Sequence, residues 1–378
     1  MKIDDKTSHN SPSLRFPEFT GEWEKCVLGD YGKVVTGNTP PTKDIENYEN
    51  GTYLWASPAD LGTHKLISET KTKLSSKGFT KTRPLSKGSV LVTCIGSTIG
   101  KTGMATREMS TNQQINSIVV NENNDNEFVY YVVQSAFPHY LSSIAVQAVP
   151  IISKSSFELL PSKRPSLQEQ NKIGKFLSLL DERISTQHRL IDRLQSLMIG
   201  IRHRIINEAK GKIVCLCEVS DIYQPQTISS ADLTETGYPV YGANGIIGHY
   251  TSYNHEAEQV CITCRGNTCG GVNYTKSKSW ITGNAMVVNV DRYQNIVSKR
   301  YLYHYLSNCD FNSIISGSGQ PQIVRAPLAK FKIILPTVMQ QYKIAHCLDV
   351  IQNKINVNSN ILNLLIRQKQ YLLRKMFI

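Results

Sequence analysis

At 378 residues, with 40% hydrophobic and 19% charged side chains, the chain exceeds one ordinary core and reads as two or three globular domains. Its formal net charge of +12 favours an anionic partner, while no apolar run approaches the roughly 18 residues that span a bilayer, so no membrane partner is expected. Nine cysteines at irregular spacing make no disulfide framework, and with a polar N-terminus in place of a signal peptide they point to the cytoplasm.

In chain order, residues 1–14 read as a mobile tail. Residues 15–164 alternate short β-rich runs with Gly, Pro and Asn, which predicts a mixed α and β domain with strands at Lys33–Thr36, Tyr53–Ala56 and Ser89–Ile95 and a short helix at Glu127–Phe137. Within it, Lys65, Lys71, Lys73, Lys77, Lys81, Arg83, Lys87, Lys101 and Arg107 face a single acid, Glu69, and form a basic stripe. Pro165 then opens a long helix that Gly211 ends, giving a helical segment over 165–211. A second globular block covers 212–335, with strands at Gln259–Cys264 and Ala285–Val290 and a helix near Lys299–Ser307, and Pro336 opens a final helix over 336–378.

Both helices carry the alternating four-and-three spacing of a coiled-coil seam. The first places Ile173, Leu177, Leu180, Ile184, Ile191, Leu194, Met198, Ile201 and Ile205 on it; the second places Ile344, Leu348, Ile351, Ile355, Leu362, Leu365, Leu372 and Met376 there. Gln187 and Asn358 interrupt the two seams at equivalent positions. Each helix finds its only partner of matching length and register in the other, so an antiparallel coiled coil is expected, with the two amides setting its register.

The similarity extends to the globular blocks. Thr93-Cys94-Ile95-Gly96-Ser97-Thr98-Ile99-Gly100 follows one apolar strand and Thr263-Cys264-Arg265-Gly266-Asn267-Thr268-Cys269-Gly270 follows another. Tyr130 matches Tyr301, Pro150 matches Pro321 and Ile152 matches Ile323. Domain and helix are thus duplicated together, with an insertion of about 20 residues early in the first copy. The fold class expected is α+β, two mixed domains separated by two long helices in a pseudo-twofold internal repeat.

No catalytic constellation emerges. Gly100-Lys101-Thr102 suggests a phosphate loop, but the required first glycine falls on Ile95, and the second copy has Gly271 in place of Lys101. Cys261 and Cys264 have the spacing of half a zinc site, yet the repeat partner of Cys261 is Leu91, which marks an apolar position. His64, His188, His255 and His346 lie in unrelated contexts, and no Asn-Pro-Pro-aromatic or Asp-Pro-Pro-aromatic segment of an amino-methyltransferase is present. No catalytic residue and no metal ligand is assigned.

Several segments carry a family resemblance. They are Leu14-Arg15-Phe16-Pro17-Glu18-Phe19 with Trp23, Thr36-Gly37-Asn38-Thr39-Pro40, Tyr53-Leu54-Trp55-Ala56-Ser57 and Gly237-Tyr238-Pro239-Val240-Tyr241-Gly242-Ala243-Asn244-Gly245-Ile246-Ile247-Gly248. The helix starts match best, Pro165-Ser166-Leu167-Gln168-Glu169-Gln170-Asn171-Lys172-Ile173 and Pro336-Thr337-Val338-Met339-Gln340-Gln341-Tyr342-Lys343-Ile344. Over nearly its whole length the chain resembles the DNA-specificity subunit of a type I restriction-modification system. Gln340 departs from the pattern where Glu169 would predict an acid, which is expected to weaken one helix-capping contact.

The resemblance implies target-recognition domains at 15–164 and 212–335, each reading half of a split, asymmetric site in double-stranded DNA, with helical spacers at 165–211 and 336–378. It further implies docking of two methyltransferase subunits, addition of restriction subunits, and N6-adenine methylation or cleavage. Cofactors would sit on those partners, S-adenosylmethionine, ATP and Mg2+, and none on this chain, which is expected to be non-catalytic. Phosphate contacts are expected from Lys71, Lys73, Lys77, Lys81, Arg83 and Lys101 and from Arg265, Lys276 and Lys278. Helix packing and partner docking are expected from Ile173, Leu177, Leu180, Ile184, Gln187, Leu194, Ile344, Leu348, Ile351, Ile355, Asn358 and Leu365. The alternative is a stand-alone sequence-specific DNA-binding regulator that dimerises through its coiled coil.

Overall fold

The computed structural model describes residues 10–143, 151–243, 245–317 and 319–377. Residues 1–9 of the expected tail, Pro150 and Asn244 lie outside them. The chain divides into two compact units, one of residues 1–187 with 361–378 and one of residues 188–360.

Unit 1 holds β1 (Glu24–Val27), β2 (Gly32–Thr36), β3 (Tyr53–Ala56), β4 (Leu66–Ile67), β5 (Thr72–Leu74), α1 (Ser76–Thr80), β6 (Val90–Thr93), β7 (Thr102–Ala105), β8 (Ser110–Thr111), β9 (Ile115–Val120), α2 (Asn126–Ser143), α3 (Lys154–Glu158), β10 (Pro161–Arg164) and the start of α4 (Leu167–Glu208). Unit 2 holds β11 (Lys212–Cys215), α5 (Leu216–Val219), β12 (Asp221–Tyr223), β13 (Tyr238–Gly242), β14 (Gly245–Tyr250), β15 (Val260–Thr263), β16 (Val272–Tyr274), β17 (Trp280–Ile281), β18 (Ala285–Asn289), α6 (Lys299–Leu306), β19 (Ile315–Ser316), β20 (Gln322–Ile323), α7 (Arg325–Ala329), β21 (Lys332–Leu335) and the start of α8 (Val338–Met376).

The two units share one topology. In unit 1 the main sheet runs β2-β9-β6-β7-β4; in unit 2 it runs β12-β18-β15-β16. Val90 pairs with Ile118 in the first and Val260 with Val288 in the second, the same register at the same repeat positions. The central strands β6 and β15 are apolar and β-branched, and every residue in them is buried, as expected of a strand covered on both faces. Each unit adds a smaller sheet in which a strand pairs antiparallel on one side and parallel on the other, β5-β3-β8 and β14-β13-β17. An antiparallel pair, β1 with β10 and β11 with β21, leads into each long helix. The insertion in the first copy is β4, β5 and α1 between β3 and β6, where unit 2 has only β14.

The helix starts show what their repeated glutamine does. Gln170 is 1% exposed; its amide donates to Pro165 O (3.1 Å) and Asn124 Oδ1 (3.3 Å) and accepts from Asp125 N–H (3.1 Å). Gln341 is fully buried; it donates to Pro336 O (2.9 Å) and Ile296 O (3.0 Å) and accepts from Ser298 N–H (2.8 Å). A buried amide that satisfies donor and acceptor alike clamps the long helix onto the loop before the domain's own helix.

The preceding position diverges. Glu169 does not cap its helix; it accepts a bidentate pair from Arg15 (2.7 and 2.6 Å) and the Trp23 indole N–H (3.4 Å), which holds the segment 10–23 onto α4. Phe16 against Phe176 and Leu14 N–H to Lys375 O (2.9 Å) complete that strap. Unit 2 has no such segment, and its Gln340 is the capping side chain, accepting from the Thr337 N–H (3.2 Å) and hydroxyl (2.9 Å). The amide therefore makes the local contact that it was expected to weaken.

Within unit 1 the seam residues Ile173 and Leu177 are buried in one core with Phe128, Leu372 and Met376, and Asp181 pairs with Lys369 at 2.6 Å. Within unit 2, Ile206 shares a core with Ala345 and, at its margin, Ile344. No helix among the described residues is long and apolar enough to cross a membrane.

Candidate nucleic-acid interface

The repeated Thr-Cys-x-Gly segment forms the same turn in both units. In unit 1, Thr93 N–H donates to Lys101 O (2.9 Å), Gly100 N–H to Thr93 O (2.9 Å) and Lys101 N–H to Thr98 O (3.2 Å). In unit 2 the same bonds link Thr263 to Gly271 (2.7 Å), Gly270 to Thr263 (2.9 Å) and Gly271 to Thr268 (2.9 Å). Gly96, Gly100, Gly266 and Gly270 all sit at φ between 84° and 97°, a left-handed conformation that costs glycine little and other residues more. The turn is a tight β connection, and its positive φ values explain why the glycines recur.

Both turns are fastened at the cysteine. Cys94 N–H donates to Gln114 O (2.8 Å) and its carbonyl accepts from Ile152 N–H (2.8 Å); Cys264 bonds likewise with Asn284 O (3.0 Å) and Ile323 N–H (3.0 Å). The next residue then bridges to a second strand, Ile95 with Ile151 and Arg265 with Gln322. The backbone is thus common, and the exposed side chains it presents are not. Burial pushes the Cys94 thiol up to about 12 and also raises that of Cys264. Cys261, whose thiol burial also pushes up to about 12, lies in the β15 core against the Asn273 carbonyl (3.8 Å), and among the described residues no three metal-ligating groups gather.

The expected basic residues fall into two groups. Those in the inserted segment are matched with acids, Lys77 with Glu46 and Lys81 with Asp44 (2.8 Å) from earlier in the sequence and Lys73 with its neighbour Glu69 (2.7 Å). Lys81 and Lys73 hold those last two carboxyls, Asp44 and Glu69, below the ordinary range. Arg83 donates to Thr36 O (2.7 Å), Lys71 is exposed with its N–H on Asp60 (2.8 Å), and exposed Lys101 lays its stem on Gly62. Lys65, the first residue of the stripe, is half-buried: its ammonium meets Glu127, Tyr131 Oη (3.2 Å) and Ser178 Oγ (3.0 Å). It anchors α4 to the domain, and its ammonium is committed to these internal partners.

In unit 2, Lys276 is exposed with its N–H on the Tyr241 hydroxyl (3.1 Å), and Lys278, at φ 49°, faces Glu256 at 3.8 Å. Arg265 is exposed, and among the described residues no acid pairs with it. Three residues that sequence reasoning missed share its shallow cleft: Gln224, Gln322 and Arg325. Gln224 and Arg325 are tied by their side chains to Gly283 O and Ile222 O (2.7 Å). Spacings of 41, 57 and 60 residues from Arg265 hid this cluster; only the repeat match of Ile323 with Ile152 pointed toward it.

Of the expected helix residues, Ile173, Leu177, Leu348, Ile355 and Leu365 are buried, while Leu180, Ile184, Gln187, Leu194, Ile344, Ile351 and Asn358 are half-buried. Strongly exposed apolar residues off the seam include Leu179, Leu197, Ile199, Met339, Val350, Val357 and Leu364. A heptad reading passes over them because they occupy the outer face.

Comparison with known proteins matches these features to a family. A family described as the type I restriction modification DNA specificity domain matches twice, over residues 20–196 and 209–367. The EcoprrI type I restriction enzyme specificity subunit of Escherichia coli is 24% identical over 353 residues, covering 87% of each chain. The MjaVIII specificity subunit of Methanocaldococcus jannaschii is 23% identical over 396 residues, covering 91% of this chain and 88% of that one. Among solved structures, the S subunit of a type I restriction-modification system from M. genitalium aligns with a TM-score of 0.69 at 17% identity, over 97% of this chain and 99% of that one. A chain from a study of complex assembly and conformational transition in the type I system aligns at 0.57 and 18%, over 94% and 97%. At such identities the structural likeness is one of fold.

Proposed function

We propose a function for a chain that belongs to the type I restriction-modification DNA specificity family: it reads a bipartite, asymmetric site in double-stranded DNA and scaffolds the subunits that methylate or cut it. The observation that carries this reading is the pair of glycine turns, identical in backbone hydrogen bonding and different in the side chains they present. Two equal frames with unequal surfaces suit two half-sites of unequal sequence. In the same reading, the target-recognition domains span 15–164 and 212–335.

The two long helices, of 42 and 39 residues, act as the spacer. At ~1.5 Å per residue each is about 60 Å long, nearly two turns of B-DNA at ~34 Å per turn. We read them as an antiparallel coiled coil whose register Gln187 and Asn358 set, and the exposed apolar residues of each unit, Leu179 and Leu364 in unit 1 and Val350 and Val357 in unit 2, as docking points for the two methyltransferase subunits. Restriction subunits join that complex. This chain does no chemistry itself; S-adenosylmethionine, ATP and Mg2+ belong to the partners, and the complex works in the cytoplasm.

The test is co-expression with the methyltransferase subunit of the same system in a host lacking other adenine methylation, with N6-methyladenine mapped across the genome. A split, asymmetric motif that vanishes without this chain supports the reading. An assembled complex that methylates nothing, or no complex at all, overturns it.

A further inference from the structure

Unit 2 sets two unlike polar side chains together at the end of its reading turn. Arg265 and Gln322 are partners in an antiparallel bridge, locked in place by Gly266 N–H to Pro321 O (3.0 Å) and Ile323 N–H to Cys264 O (3.0 Å). Directly opposed residues of an antiparallel pair present their side chains to the same face, with Cβ atoms ~4.5–5.5 Å apart. Both are exposed, and neither side chain has a hydrogen bond or ion pair among the described residues. Their neighbours in the cleft, Gln224 and Arg325, are already bound to backbone carbonyls.

A planar guanidinium and a primary amide are the two side-chain groups that read base edges bidentately in the major groove, arginine on the O6 and N7 of guanine, glutamine on the N6 and N7 of adenine. A rigid strand bridge fixes their spacing before DNA arrives, which removes much of the cost of ordering them. Charge alone would not need this arrangement, since the lysines of the inserted segment in unit 1 stand among carboxylates.

We infer that Arg265 and Gln322 are the base-reading pair of unit 2, with Arg265 on a guanine and Gln322 on an adenine at a neighbouring step of one half-site. The inference rests on the DNA-reading function proposed above. The same bridge in unit 1 joins Ile95 to Ile151, of which Ile151 is 52% exposed. That pair has no donor to offer a base and suits only apolar contact, such as a thymine methyl group. The two half-sites therefore differ in chemistry at the point where the two backbones agree.

The experiment maps N6-methyladenine in cells expressing the methyltransferase subunit with the wild-type chain, with Arg265→Ala or with Gln322→Ala. Each variant is expected to lose roughly tenfold to a hundredfold discrimination at one position. The motif should turn degenerate at a G·C pair for Arg265→Ala and at a nearby A·T pair for Gln322→Ala, both in one half-site, with the other half-site and the spacing unchanged. An unchanged motif, or a partial loss of methylation spread evenly with no degenerate position, overturns the inference while the DNA-reading function stands. If the alanine variants methylate nothing, Arg265→Gln decides: it replaces the guanine-reading fork by an amide that prefers adenine, so a G·C position that turns degenerate or shifts to A·T supports base reading and an intact motif overturns it. A wild-type chain that directs no methylation brings down the function and this inference together.

Discussion

The two units solve the same backbone problem and different side-chain problems. Sheet order, register, glycine turn and glutamine clamp recur between them. Where a polar group must tie the long helix to its domain, the repeat positions diverge. Unit 1 uses Lys65 with Glu127, Tyr131 and Ser178, and Tyr131 also donates to Asp181 at 2.6 Å. Unit 2 uses Asp349, at the repeat position of Ser178, which takes Arg300 and His304 Nε2 (2.8 Å) where unit 1 has Val129 and Val133. A backbone held by many cooperative hydrogen bonds tolerates such exchange when the buried charges again find partners, as Arg300 and Asp349 do here, while His304 Nδ1 stays unpaired among the described residues.

The strap gives the largest expected difference. Glu169 is 1% exposed and neutralises Arg15, which is itself only 14% exposed. Glu169→Gln leaves that guanidinium without its charge partner, and breaking a buried pair by removing one partner costs about 3 kcal/mol or more. Hydrogen exchange should show segment 10–23 and the start of α4 opening, with the rest of unit 1 destabilised. Gln340→Glu, at the same repeat position, adds a charge at an exposed cap and should change unit 2 by less than about 0.5 kcal/mol. Equal effects would mean that the strap adds nothing to unit 1.

His304 sharpens the comparison through pH. Burial outweighs the attraction of Asp349 and, with Arg300 and Arg202 also opposing protonation, pushes this imidazole from 6.5 to about 4. The folded unit therefore binds fewer protons than the unfolded chain between those values. The stability is fully present above pH 6.5 and is lost as pH falls toward about 4, by about 3 kcal/mol in all. Exchange in α6 should accelerate over that window, and His304→Val, which installs the residue type of Val133, should flatten the limb. An acid limb of the same height in the variant would locate the titration elsewhere.

How far the sequence disclosed this molecule depends on range. The helix starts, the strands β3, β6 and β15, and the shared turn lay within windows of ten residues or so, where periodicity and punctuation act, and the early insertion stood out against the second copy. The seam was legible as apolar, but no heptad tells which surface will cover it; Ile173 and Leu177 enter the core of unit 1 beside Phe128. Pairings across long stretches stayed hidden. The stripe looked bare because Asp44 and Glu46 precede its lysines by more than thirty residues, Lys65 gave no sign of its internal partners, and nothing in the chain text set Gln322 beside Arg265.

Those pairings govern the smallest expected effect, the salt dependence of DNA binding. A cation that neutralises one phosphate contributes about 0.9 to the slope of log affinity against log salt. Lys77 and Lys81 already neutralise Glu46 and Asp44, so moving them to phosphate would leave two carboxylates facing DNA. Replacing Lys77, Lys81 and Arg83 together by Ala should therefore weaken binding across all sequences and flatten the slope by about 1, not by the ~2.7 that three independent contacts would give. Arg265→Ala, which removes a guanidinium placed on a base edge and not on a phosphate, should flatten it by well under about 0.9. Titrations of the assembled complex at several salt concentrations separate the cases. An unchanged slope in the triple variant removes that surface from the interface, and a loss near 2.7 means that the lysines leave their acids on binding.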